Sequence, residues 1–293
     1  MSFYQILSNT VMLLVTASVL LPFLLLFMSS ITSEDILLSY GYSFIPRKFS
    51  MESYAYIFRS GEKILRAYGM TIFLTATGTS ASILMAALFA YPLSLSNLPF
   101  RRTINFFVFF TMLFNGGLIP AYIMWTNVFH IKDTIWGLLF PNLMMSAMSV
   151  LMIRTYFATS IPSTLFEAAQ IDGAGQFQVF RKVVVPLGKP ILVTMGTFSG
   201  LAYWNDWTNG LYYISKKTEY YSIQNLLNKM VSDLQFLTSN ANLTGVAAKE
   251  LSKVPSTGVQ MAIAFVAVLP ILVLFPFLQK YYSKGITLGA VKG

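Results

Sequence analysis

Glu167-Ala168-Ala169-Gln170-Ile171-Asp172-Gly173-Ala174 is a polar, helix-forming stretch set between very apolar segments. It cannot lie in a bilayer core, where Glu167 and Asp172 would each cost several kcal/mol. The loop that carries it, about residues 160–190, ends in Pro186 and Pro190. Thr164-Leu165-Phe166-Glu167 has the spacing of a capping box, in which the Thr164 hydroxyl and the Glu167 carboxylate satisfy free backbone donors. A helix of two turns is expected from Leu165 to Asp172, with Gly173 as its stop. A second short helix is expected from Gln176, with Phe177, Phe180, Val183 and Val184 on one packing face and Pro186 as its end. Ala168 and Ala169 would let a partner surface approach closely, with a carboxylate at each end of the helix. The plainer reading makes Glu167 only a cap and Gly173 only a stop.

Composition decides what surrounds this island. The chain is 55% hydrophobic and 11% charged, whereas a soluble domain is about 25% charged. About 20 mostly apolar residues span a bilayer, and six candidate segments read as Val11–Ser30, Met70–Leu93, Ile104–Trp125, Ile135–Ile153, Ile191–Tyr203 and Gln260–Gln279. The first lacks a basic flank between Met1 and Thr10 and is too long for a signal peptide, so it is read as retained. The organisation expected is residues 1–66 as a first span with its outer loop and residues 67–293 as a core of five spans. A net charge of +9 would suggest nucleic acid on a soluble protein. On a polytopic membrane protein it reflects anionic lipid and loop topology, and no nucleic-acid partner is expected.

Charge alone sets the orientation weakly. With the Glu167 loop inside, nine of the twenty Lys and Arg fall on inner segments. Arg101, Arg102, Arg181 and Lys182 favour that side.

Two stretches inside or beside the spans are polar. Asn115-Gly116-Gly117 and Pro120 interrupt the third span at membrane depth, where irregular backbone must be covered by protein or line water. That break reads as a packing kink or as a cavity-lining site on a translocation path. The fifth span is short, and Trp204-Asn205-Asp206-Trp207 arrives before a full crossing is complete. It reads as an aromatic interfacial belt or as the outer mouth of a wet cavity. His130, the single histidine, sits in a short outer turn and is assigned no role.

Several chemistries are missing from the sequence. It has no cysteine, no Ser/His/Asp constellation and no metal-ligand cluster. It also lacks a G-x-x-x-x-G-K-[ST] phosphate loop, so no ATP binding by that route is expected. No carboxylate lies deep in a span to relay protons, which argues against a secondary carrier or a membrane-embedded enzyme.

The run E-A-A-x-x-D-G-A from Glu167 to Ala174, then Phe177, Phe180, Pro186 and Pro190, resembles the EAA loop of permease subunits in bacterial binding-protein-dependent ABC importers. The W-N-D-W stretch and the ending Lys284-Gly285-x-x-x-Gly289-Ala290-Val291-Lys292-Gly293 resemble the carbohydrate-uptake group, similar to the maltose-type second permease. The resemblance implies an all-α polytopic membrane protein of six transmembrane helices in a bacterial cell membrane, with a cytoplasmic coupling helix. Its coupling residues would be Glu167, Ala168, Ala169, Asp172, Gly173 and Ala174, with Gly289 and Lys292 as tail contacts to the ATPase. Asn115, Gly116, Trp204, Asn205 and Asp206 would line the translocation cavity. The implied partners are a homologous permease, two ATPase subunits holding ATP and Mg, and an external solute-binding protein. No cofactor is expected on this chain. A sugar or oligosaccharide is the implied cargo, with a peptide or amino acid as the alternative.

Overall fold

The computed structural model describes residues 3–59, 61–240, 257–270 and 272–273. Among these the chain is helical, and an isolated bridge pairs Thr32 with Phe49. It forms two compact units. One is Met1–Arg66 with Leu226–Val273, and the described part of the other is Ala67–Asn225. The described residues among 226–273 thus group with the first segment.

In the first unit, α1 (Phe3–Ser30) is apolar all round and leaves Val11, Leu13, Leu20 and Leu24 exposed, the pattern of a helix solvated by lipid. α2 (Glu34–Tyr40) and α3 (Glu52–Arg59) fill the loop that follows. The Glu34 carboxylate accepts from the Thr257 and Gly258 N–H groups at 2.9 and 2.8 Å. It thereby satisfies free donors at the start of the apolar helix Thr257–Pro270. Phe27 and Phe265 pack with ring centroids 4.9 Å apart.

α4 (Gly61–Ser94) is the long helix that enters the second unit. α4 runs through Pro92 to Ser94, because a proline so near the end forfeits only one bond. α5 (Arg101–Leu113) and α6 (Leu118–Ile123) are joined at an angle of 109°. The break falls where the sequence placed it. Asn115 Oδ1 accepts from the Gly117 N–H at 2.9 Å, and Gly117 holds φ +89°. α6 widens into a π turn at Met124–Val128.

The expected fourth span is not one helix. α7 (Trp136–Leu139) and α8 (Ala147–Ser160) are separated at Pro141, which has no N–H, and Asn142, which is left-handed at φ +60°. α9 (Ser163–Ile171), α10 (Gln176–Val179), a π turn at Phe180–Val184 and α11 (Val185–Leu187) form the polar loop. α12 (Lys189–Asn205), α13 (Thr208–Tyr213) and α14 (Ile223–Asn240) follow. Among the described residues two helices, Tyr4–Ser30 and Gly61–Ser94, are long and apolar enough to cross a membrane, or up to four spans if each bent pair is one.

Two buried clusters sit at different levels of α4. Leu74 joins Leu138, Leu139, Tyr203 and Ile214 towards its middle, and Ala90, Tyr91 and Leu93 join Ile153, Phe157, Val179, Phe180 and Val184 near its end. At 1.5 Å per residue Leu74 and Leu93 lie about 28 Å apart along the helix, close to the thickness of a bilayer core. The chain returns alternately to the two clusters, which places the Asn209–Ile223 turns at one end and the Glu167 loop at the other.

Candidate functional site

The polar loop starts earlier than a capping box would have it. Pro162 is the N-cap residue, with φ −60° and ψ +133°, and no side chain caps α9. Proline's fixed φ sets the chain entry directly, so Thr164 lies inside the helix and the Thr164/Glu167 box does not form. Glu167 is exposed, and among the described residues its carboxylate has no hydrogen bond or ion pair. The plainer reading of Glu167 as a cap is thereby removed.

The C-terminus of α9 is built as the sequence indicates. Gly173 stands at φ +80°, its N–H donates to the Gln170 carbonyl at 3.0 Å and the Ala174 N–H donates to the Ala169 carbonyl at 2.9 Å. This is the Schellman arrangement, which turns the chain sharply while satisfying carbonyls of the last turn. The Gly175 N–H then donates to Gln178 Oε1 at 3.2 Å and starts α10.

One side of the unit is rooted and the other is open. Val179, Phe180 and Val184 are buried, and Phe166, Ala169, Ala174 and Val183 pack against them. Phe177 is 66% exposed, so it does not belong to the packing stripe expected for it; Val179 takes that place, because the π turn shifts the register. Ile171 is 86% exposed. Ala169, Asp172, Gly173, Ala174, Gln178 and Lys182 help line a shallow notch of about 300 Å³ between α9 and α10. The second helix ends at Leu187, one residue past Pro186. The chain turns by 80° at Gly188, where a side chain would collide with the Phe157 ring.

The unit is bound to the second-cluster end of α4. Tyr91 Oη donates to Gln176 Oε1 at 2.8 Å, and the Tyr91 ring meets Phe166 and Phe180 at centroid distances of 6.3 and 5.6 Å. Nearby, Arg101 Nε and Arg154 Nε both donate to the Leu93 carbonyl, at 2.9 and 3.3 Å, placing cations where the α4 dipole is negative.

The polar stretches in or beside the spans come out differently. Asn115 and Gly116 are exposed in their turn. Trp204 is buried and its Nε1 has no hydrogen-bond partner, whereas Asn205 is exposed and accepts from Gln224 Nε2 at 3.5 Å. Asp206 Oδ1 accepts from the Thr208 and Asn209 N–H groups at 3.1 and 3.3 Å, capping the start of α13. Among the described residues no hydrogen bond joins Asn115 and Gly116 to Trp204, Asn205 and Asp206. Gly289 and Lys292 lie outside the described residues. Among the described residues no group of three or more His, Cys, Asp or Glu could hold a metal ion.

At the opposite end, Asp133, left-handed at φ +54°, accepts from the Ser215, Lys216 and Lys217 N–H groups at 2.7, 2.8 and 3.4 Å. The Lys216 and Ser215 amides hold its carboxyl well below the usual range, at about 2. The sequence offered Asp133 only as part of an outer turn.

Residues 1–288 match the family of binding-protein-dependent transport system inner membrane components. The chain belongs to this family. Protein LplC of Bacillus subtilis is 32% identical over 95% of this chain and 91% of its own length. The polygalacturonan/rhamnogalacturonan transport system permease protein YtcP of the same organism is 33% identical over 93% of this chain and 92% of its own. A chain in the crystal structure of a bacterial ABC transporter involved in the import of the acidic polysaccharide alginate superposes with a TM-score of 0.80. It is 27% identical and covered over 96% of its length, against 95% of this chain. The chain is therefore a permease of the ABC importer type, and the match extends to the first span as well as the core.

Proposed function

We propose that this chain is the transmembrane subunit of an ATP-driven importer for a sugar or oligosaccharide, forming the translocation path together with a homologous permease. ATP and Mg belong to two separate ATPase subunits, and an external solute-binding protein delivers the cargo. The chain has six spans in a bacterial cell membrane, with residues 154–190 and the C-terminus in the cytoplasm. Glu167, Ala168, Ala169, Asp172, Gly173 and Ala174 form the surface that an ATPase subunit grips, and Gly289 and Lys292 reach the same subunits. Asn115, Gly116, Asn205 and Asp206 line the water-filled path, with Trp204 behind them.

The observation that carries this reading is the open face of the α9–α10 unit. A carboxylate without a partner and two exposed apolar side chains, Ile171 and Phe177, project from a unit whose other face is anchored in buried core. Exposed apolar groups beside free charge mark a protein interface. The carbohydrate class is supported by relatives such as YtcP and the melibiose/raffinose/stachyose import permease protein MelC of Bacillus subtilis, 28% identical over 76% of this chain.

The test is to purify the chain with its partners and measure ATP hydrolysis against a panel of binding-protein-delivered solutes. Oligosaccharides are expected to stimulate hydrolysis. Stimulation by peptides or amino acids alone would overturn the cargo class.

A further inference from the structure

We propose that Tyr91 is the positioning residue that ties the α9–α10 unit to α4, so that movement of the unit is delivered into that span through the Tyr91–Gln176 hydrogen bond. The inference rests on the reading of α9–α10 as the ATPase-facing surface and names how its displacement enters the membrane region. Tyr91 touches three separate parts of the unit at once: Phe166 on α9, Gln176 at the start of α10, and Phe180 on the π turn. Among the described residues its hydroxyl makes the one hydrogen bond between α4 and this unit. Tyr91 is buried and Gln176 lies at the exposed start of α10, so the bond ties a buried hydroxyl to the surface side of the unit and is worth what a single hydrogen bond is worth.

Its place along α4 matters equally. The next residue, Pro92, cannot donate to the Leu88 carbonyl, so the helix is locally less resistant to bending at this point. Beyond it, Arg101 and Arg154 hold the Leu93 carbonyl. A pull at Tyr91 is therefore applied beside the weakest link of the span. The ring contacts keep the unit seated, and the hydroxyl fixes which way it is turned. Those two contributions separate by mutation.

The experiment uses the assembled transporter in proteoliposomes, with solute moved per ATP hydrolysed as the readout. Tyr91→Phe keeps the ring and removes the hydroxyl, Gln176→Leu removes the acceptor, and Gln176→Glu retains one. Both deletions are expected to lower solute moved per ATP about two- to tenfold, the span of one lost hydrogen bond, with ATPase still bound at full stoichiometry. The double variant should be no worse than either single one, and Gln176→Glu should restore coupling. Unchanged coupling in Tyr91→Phe and Gln176→Leu, or additive losses in the double variant, would overturn the proposal. Failure of the underlying reading has a different signature. Glu167→Ala and Ile171→Ser would then leave ATPase retention untouched.

Discussion

Replacing Gly173 tests whether backbone geometry alone holds the exposed unit in place. Its φ of +80° is left-handed, and a Cβ built there meets nothing within 4 Å. Packing therefore contributes no penalty, and the cost of a side chain is the left-handed conformation itself, about 1–2 kcal/mol. Asparagine tolerates this region better than alanine, and a β-branched residue tolerates it worst. The order of destabilisation should be Gly173→Asn, then Gly173→Ala, then Gly173→Val. An increment of 1–2 kcal/mol shifts an opening equilibrium about 5- to 30-fold. Hydrogen exchange at the Ala174 amide, which donates to Ala169, should accelerate by that factor in Gly173→Ala, while amides of α12 keep wild-type rates. ATPase retention should fall in the same order. Equal exchange in Gly, Asn, Ala and Val would refute the reasoning, because it would mean that the turn is not held left-handed in the assembled protein.

Glu167→Ala should leave the unfolding free energy within about 0.5 kcal/mol of wild type, as a surface residue with no bond does, yet lower the ATPase co-purified; a matching loss of stability would restore the capping role. Tyr203 Oη donates to the Leu139 carbonyl at 2.8 Å and Asn209 Nδ2 to the Pro141 carbonyl at 2.9 Å. Each of Tyr203→Phe and Asn209→Ala should therefore cost about 1–3 kcal/mol by stranding a buried acceptor of the α7–α8 break, read by thermal unfolding in detergent. Asp133 has a depressed folded pKa, so its clamp on residues 215–217 is complete above the ordinary value of 3.8 and is lost as pH falls through about 2. Exchange protection of the Ser215 and Lys216 amides should stay flat from neutral pH to pH 4, drop near 2, and vanish at every pH in Asp133→Ala. In this cysteine-free chain, single cysteines at positions 170 and 216 should react with an impermeant reagent from opposite sides of the membrane; labelling of position 170 but not of 216 from outside intact cells would reverse the topology.

The local chemistry at Gly173 and at Asn115–Gly117 was readable because one residue type dictates the geometry there. Glycine after a polar helix, and Asn-Gly-Gly in an apolar run, each have few backbone solutions. Breaks hidden in apolar sequence were not readable. Ile135–Ile153 is hydrophobic enough to pass as one span, and only Pro141 with a left-handed Asn142 marks the interruption. Pro186 reads as a stop, and the helix ends one residue beyond it at Leu187. Phe177 was assigned to the packed side by regular helical spacing, which the π turn at Phe180–Val184 shifts. The links from Tyr91 to Gln176 and from Asp133 to Ser215 join residues 85 and 82 positions apart. No local pattern announces such pairings.

The central claim is import of a carbohydrate driven by ATP through a path this chain helps to form. It is tested most directly by uptake of radiolabelled oligosaccharide into proteoliposomes holding the complete transporter, with ATP at the ATPase side and binding protein at the other. Accumulation is expected to require both ATP and the binding protein and to cease in Gly173→Val. Accumulation driven by a proton gradient without ATP would contradict the claim.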